Sequence, residues 1–155
     1  MNLQEEFNLR YLYKEGRLYS RKTGEETGRT KHSRYLVVNF LVDGKKKKFK
    51  VHRVVWIMHN GEIPEDLVID HIDGNPQNNL LENLRLATLS QNSANSKAYN
   101  KSGLPKGVSL TGKKYQARIK YDNITYYLGL YDTVEEAADA YNIKALEFHG
   151  NFAKI

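Results

Sequence analysis

Val68-Ile69-Asp70-His71-Ile72-Asp73-Gly74-Asn75, then Asn78-Asn79, Glu82-Asn83-Leu84-Arg85 and Gln91-Asn92, is the stretch on which the reading of this 155-residue chain turns. Leu67-Val68-Ile69 is a short apolar run that reads as a buried strand leading into Asp70-His71. Gly74, Asn75 and Pro76 make the next stretch a loop. Asn83 to Thr88 reads as a second short strand. Leu89 onward, Ser90-Gln91-Asn92-Ser93-Ala94-Asn95, reads as a helix opening on polar capping residues. A strand–loop–strand–helix unit of this kind can bring Asp70 and His71, at a strand end, against Asn92 on the helix.

Working outward, Val51, Val54, Val55 and Met58 recur at helical spacing, so a short helix is expected to end at Asn60-Gly61. Residues 1–50 read as β-structure. Leu9, Tyr11 and Tyr13 alternate, Glu15-Gly16 turns, and Leu18-Tyr19 resumes. Tyr35 to Val42 is a second apolar run closed by the hairpin signal Asp43-Gly44. Lys45-Lys46-Lys47-Lys48 comes next in the return strand, as either a charge-protected edge or a phosphate contact.

Composition narrows the function classes. Hydrophobic residues make up 40% and charged residues 27%, which suits a globular chain. Lys and Arg number 24 against 18 acidic residues, a net charge of +6. Such an excess points to a polyanionic partner. No apolar run approaches the roughly 20 residues of a membrane-spanning helix. Met1-Asn2-Leu3-Gln4-Glu5-Glu6 starts acidic, without an apolar signal core. With no cysteine there is neither a disulfide nor a thiolate zinc site, which suits a cytoplasmic protein.

The chemistry offered by Asp70-His71, Asn83 and Asn92 is that of phosphodiester hydrolysis. That reaction needs a deprotonated water and positive charge on the crowded phosphorus and leaving oxygen. A neutral imidazole can take the proton near physiological pH. A carboxylate and an amide oxygen are hard ligands suited to Mg²⁺. The stretch quoted above resembles the HNH endonuclease family, in particular the phage and intron-homing branch whose final His is replaced by Asn. The resemblance implies a ββα-metal fold with one divalent ion, Mg²⁺ or another such as Mn²⁺. By position it implies His71 as general base, Asp70 and Asn92 as metal ligands, and Asn83 as the brace of the loop carrying His71. Val51-His52-Arg53 resembles a motif that commonly precedes this core, and His52 is given no catalytic role. Asn75, Asn78 and Asn79 are expected to shape the loop and bind nothing.

Beyond residues 98–104, which read as a linker, the pattern changes to three short strands and a helix. The strands centre on Gly107-Val108, Tyr115 to Lys120 and Thr125 to Gly129, with turns at Thr111-Gly112 and Asp122-Asn123. Thr133 and Glu136 form a capping box, and Val134, Ala137, Ala138, Tyr141, Ala145 and Phe148 make an apolar stripe closed by Gly150. This segment resembles the plant ethylene-response-factor (APETALA-type) DNA-binding domain, through Lys106-Gly107-Val108, Tyr115-Gln116-Ala117-Arg118-Ile119, Tyr127-Leu128-Gly129-Leu130-Tyr131-Asp132-Thr133 and Glu135-Glu136-Ala137-Ala138. Ser109 and Leu110 stand where that family carries basic residues. The resemblance implies a sheet laid in the major groove. From Pro105 to Tyr131 five basic residues face one acidic residue, a net +4 on the sheet. Lys106, Lys113, Lys114, Tyr115, Arg118, Lys120 and Tyr127 are the candidate DNA contacts.

The expectation is therefore an α+β chain. Residues 1–97 hold N-terminal β-hairpins and the HNH core, and residues 105–155 hold a three-stranded antiparallel sheet packed on one helix. The function expected is metal-dependent cleavage of double-stranded DNA, one strand at a time, by a monomer, with a dimer on DNA left open. A non-catalytic DNA-binding regulator on the same scaffold is the alternative.

Overall fold

The computed structural model describes residues 2–28, 33–42, 44–96 and 102–155. The chain divides into two compact units, Met1–Ala87 and Thr88–Ile155. Both mix small antiparallel sheets with helices, the α+β class expected.

The first unit opens on a helix, α1 (Leu3–Arg10), where alternation suggests strand. Local end chemistry explains it. The Asn2 side chain accepts from the Gln4 amide, Glu5 and Glu6 sit in the first turn and Arg10 in the last. The helix has no apolar stripe, so periodicity cannot reveal it. Its one buried side chain is Phe7, with its ring 5.7 Å from Phe40 and 5.2 Å from Phe49. Burying such a ring contributes about 1.5–3 kcal/mol, enough to anchor two turns of helix.

Strands β1 (Tyr11–Lys14) and β2 (Arg17–Ser20) form a hairpin, and β3 (Glu26–Thr27) adds to β2. The hairpin turn is Glu15-Gly16, with φ of 49° and 77°, as a tight two-residue turn requires. A second hairpin pairs β4 (Val37–Val42) with β5 (Lys45–Lys50). On β4, Val38, Phe40 and Val42 alternate inward, while Lys45 to Lys48 on β5 are exposed. Helix α2 (Val51–Asn60) buries Val51, Val54, Val55, Ile57 and Met58 against these elements and ends at Gly61, φ 82°. Strands β6 (Val68–His71) and β7 (Leu84–Ala87) pair antiparallel, opposing Asp70 to Arg85 and His71 to Leu84. A single 3-10 turn, Leu81–Asn83, leads into β7.

The second unit begins with α3 (Leu89–Asn95), capped by Thr88 and Gln91 in a reciprocal box. The sequence reading places the break between the two parts at residues 98–104. Of these, 98–101 lie outside the described residues, and the division between compact units falls earlier, at Ala87. Lys106 and Lys154 help tie α3 to the rest of the second unit. The Lys106 ammonium donates to the carbonyls of Ser93 at 3.0 Å and Ser96 at 3.1 Å, and to that of Ala94. The Lys154 amide donates to Ala94 at 3.4 Å. A cation at a helix C-terminus satisfies carbonyls that have no partner inside the helix.

The sheet of this unit runs β10-β9-β8, from β8 (Val108–Thr111), β9 (Lys114–Tyr121) and β10 (Ile124–Tyr131). Asp122 and Asn123, both at positive φ, turn β9 into β10. Helix α4 (Val134–His149) covers one face through Ala137, Tyr141 and Ala145, which pack on Val108, Ala117 and Ile119. Its N-terminus carries the Thr133–Glu136 box. Gly107 sits at φ 74°, where an added Cβ would run into the Tyr141 ring and stand 2.6 Å from the Arg118 carbonyl oxygen. Gly107→Ala should therefore cost at least about 2 kcal/mol, from backbone strain plus overpacking. Urea unfolding followed by far-UV dichroism checks this, and an unchanged midpoint would mean that the Tyr141 ring does not press on this turn.

Candidate active site

Strand β6 delivers Asp70 and His71 side by side, and both are buried. Successive strand residues point to opposite faces, so the pair reach different surroundings. Asp70 meets its cross-strand neighbour, with Arg85 Nε donating to Asp70 Oδ2 at 2.9 Å. His71 Nε2 lies 3.2 Å from Asn79 Oδ1. Asn79, expected only to shape the loop, is 1% exposed and is among the most buried side chains of the chain.

The loop between β6 and β7 is held by its own amides. Asn83 Oδ1 accepts from the Asp73 amide at 3.0 Å, and its Nδ2 donates to Asp73 Oδ1 at 3.0 Å and to the Asn78 carbonyl at 2.9 Å. The Ile72 amide donates to the Asn83 carbonyl at 2.9 Å. Asp73 also receives the Asn75 amide at 2.7 Å and Asn78 Nδ2 at 2.8 Å. Burial pushes the Asp73 carboxyl up. Hydrogen bonds from Asn75, Asn78 and Asn83, with nearby His71, outweigh that and hold it below its usual range. Asn83 thus fixes the turn immediately after His71.

Helix α2 supplies the other wall. The His52 ring stands edge-on to His71, with centroids 4.9 Å apart at 85°, and Tyr35 lies 5.1 Å from His52 and 6.1 Å from His71. Lys50 Nζ sits 4.2 Å over the Tyr35 ring. His52 Nδ1 is buried without a hydrogen-bond partner among the described residues. Burial lowers the His52 pKa to about 3, with His71, Lys50 and Arg53 adding to the effect. From sequence His52 has no expected catalytic role, Asn79 is expected only to shape the loop, and Arg85 and Tyr35 carry no expected role. The resemblance of Val51-His52-Arg53 to a motif that commonly precedes the core is the signal in the sequence that points to His52.

A family profile described as HNH endonuclease matches residues 49–94, from the end of β5 into α3. Protein 3.8 of Escherichia phage T7 is 39% identical over 108 residues, covering 67% of this chain and 88% of that protein. The chain thus carries an HNH endonuclease segment over residues 49–94. An uncharacterized HNH endonuclease, L560, of Acanthamoeba polyphaga mimivirus is 41% identical over 108 residues, covering 68% of this chain and 56% of its own length. DNA endonuclease I-HmuI of Bacillus phage SP01 is 42% identical over 77 residues, 47% of this chain and 42% of that enzyme. The chain thus spans about half the length of these two relatives. The solved structure of I-HmuI, described by its DNA binding and cleavage, aligns at 38% identity with a TM-score of 0.47, covering 56% of this chain and 51% of that one.

The matched HNH segment contains Asp70, His71 and Asn83 in the first unit and Asn92 on α3 in the second. The donors suit a hard divalent ion, since a carboxylate and an amide oxygen are oxygen ligands. Among the described residues no group of three or more His, Cys, Asp and Glu gathers that could hold a metal ion. No helix among the described residues is long and apolar enough to cross a membrane.

The candidate DNA contacts separate by face. Arg118 and Lys120 are exposed on β9 and alternate with buried Ala117 and Ile119. Tyr127 pairs with Arg118 and Thr125 with Lys120 across β10, so these four share the face away from α4. Tyr115 packs instead against the core beneath the sheet. Lys113 lies in the β8–β9 turn, and Lys114 pairs with Asp132 at 3.0 Å. Lys106 is engaged by the carbonyls that end α3.

Proposed function

We propose that this chain hydrolyses phosphodiester bonds in double-stranded DNA with a divalent ion, Mg²⁺ or Mn²⁺, nicking one strand at a time. The observation that carries the reading is a buried imidazole, His71, beside a buried carboxylate, Asp70, on a strand end locked by Asn83 within the HNH-matched segment. His71 takes the proton of the attacking water. By the family resemblance Asp70 and Asn92 would hold the ion, which would supply positive charge to the scissile phosphate and leaving oxygen. Asn83 keeps the loop from moving the base away from its target.

In the second unit we assign DNA contact to the open sheet face, where Arg118 and Lys120 stand beside Tyr127 and Thr125. The three-stranded sheet backed by one helix supports the APETALA-type reading of this region. Lys113 and Lys114 flank that face as phosphate contacts, while Lys106 and Tyr115 contribute through packing. A monomer acting in the cytoplasm of a bacterium or infected host fits one site per chain.

The test is supercoiled plasmid incubated with the protein, with Mg²⁺ or Mn²⁺ and with EDTA. Open circle should appear before any linear form, and only with metal. Linear product arising first at low enzyme would indicate two coordinated sites on a dimer. Retarded but uncut plasmid under all metals would establish the non-catalytic regulator instead.

A further inference from the structure

A neutral imidazole is a base at one nitrogen only, and the partner of the other nitrogen decides which. At His71 that partner is Asn79. Its amide orientation is settled by its second contact, because Nδ2 donates to the Gln77 carbonyl at 3.2 Å. A carbonyl oxygen only accepts, so turning the amide over would set oxygen against oxygen there. Asn79 Oδ1 therefore faces His71 Nε2, 3.2 Å away, and it too only accepts. The proton of neutral His71 must sit on Nε2, which leaves Nδ1 as the basic atom.

Asn79 itself is clamped from the N-terminal hairpin. The Tyr13 hydroxyl donates to the Asn79 carbonyl at 3.5 Å and accepts from the Leu81 amide at 3.0 Å. At the Glu15-Gly16 turn, an added Gly16 Cβ would lie 3.3 Å from the Asn79 carbonyl carbon and 3.1 Å from the Leu80 nitrogen. The Tyr13 ring in turn stands edge-on to His59 of α2, at 4.8 Å. The β1–β2 hairpin thus reaches His71 through Asn79, while the rings of His52 and Tyr35 lie beside the imidazole.

We propose that Asn79 is a positioning residue for the reaction, fixing the His71 proton on Nε2 and so presenting Nδ1 as the atom that receives the proton from water. The assignment rests on His71 being the base, but the tautomer can be read without any activity. Long-range ¹H–¹⁵N correlation of the His71 ring in its neutral form, recorded without metal or DNA, should show protonated Nε2 and bare Nδ1. Asn79→Leu, which removes the acceptor, should give a mixture of tautomers. Its kcat for plasmid nicking should fall about 10–100-fold, the range for partners that orient a histidine, with KM for DNA nearly unchanged. Asn79→Asp keeps an acceptor facing Nε2 and should restore the single tautomer.

Wild-type protein with the proton on Nδ1 would overturn the proposal, even if no variant folds. So would Asn79→Leu with an unaltered tautomer and unaltered kcat. Absence of cleavage under every metal, with the tautomer as stated, would sink the nuclease reading and leave the Asn79 contact standing.

Discussion

His71→Ala is expected to lower the rate of plasmid nicking by about 10²–10⁴, the usual contribution of a general base, while leaving DNA affinity within a few-fold. The size of the effect reflects both the job of the imidazole and its place in the fold. A water that must lose its proton without a positioned base relies on bulk solvent, and a buried site admits little of that. The side chain is 6% exposed, so its removal also leaves a hole and strips Asn79 Oδ1 of its donor. That loss should cost about 1–3 kcal/mol of stability. Melting curves must therefore accompany the kinetics, with rates measured well below the transition. His71→Gln fills more of the space and should lose activity to a similar degree with less loss of stability. Turnover near the wild-type rate in either folded variant would remove His71 from the role of base.

How much of the fold and site was legible in the sequence depended on whether the determining physics was local. The Asp122-Asn123 turn needs positive φ at two positions, and the residue types say so directly. The Thr133–Glu136 box is likewise a contact three residues apart. Asp70-His71 at a strand end could be read because an apolar run precedes them and a glycine-containing loop comes after. Helix α1 could not be read from its pattern, because one phenylalanine seated between Phe40 and Phe49 holds it rather than a stripe. Asn79 was hidden for a related reason. Asn75, Asn78 and Asn79 look alike in sequence, yet Asn79 alone meets both the Tyr13 hydroxyl and His71, sixty-six and eight residues away. Lys106 reads as one more cation on a basic sheet, and only the fold shows its ammonium among three carbonyls. Contacts made across the chain assigned these roles, and composition cannot report them.

Acidification should destabilise the first unit through His52, and replacing that residue should reverse the order of stabilities. In the unfolded chain a histidine takes a proton near pH 6.5, whereas in the folded unit burial, aided by His71, Lys50 and Arg53, delays this to about pH 3. Between those values the unfolded state binds a proton that the folded state refuses. Stability must then rise with pH across the window, stand complete above about pH 6.5, and fall as the solution is acidified. At about 1.4 kcal/mol for each pH unit, lowering the pH from about 6.5 to about 4 removes about 3 kcal/mol. That is a large fraction of the 5–15 kcal/mol typical of a folded domain. His52→Leu has no proton to refuse. It should cost about 1–2 kcal/mol at neutral pH through imperfect packing against Tyr35 and His71, but exceed the wild type near pH 4. Carboxylates titrate in both proteins, and His149, lowered by its own burial and by Lys106, does so as well, so the difference between the two curves isolates His52. The single tryptophan, Trp56, lies on α2 one helical turn from His52, and its fluorescence reports unfolding of this unit. Urea midpoints that fall in parallel for the two proteins from pH 7 to pH 4 would show that His52 accepts its proton in the folded state as readily as in the unfolded one.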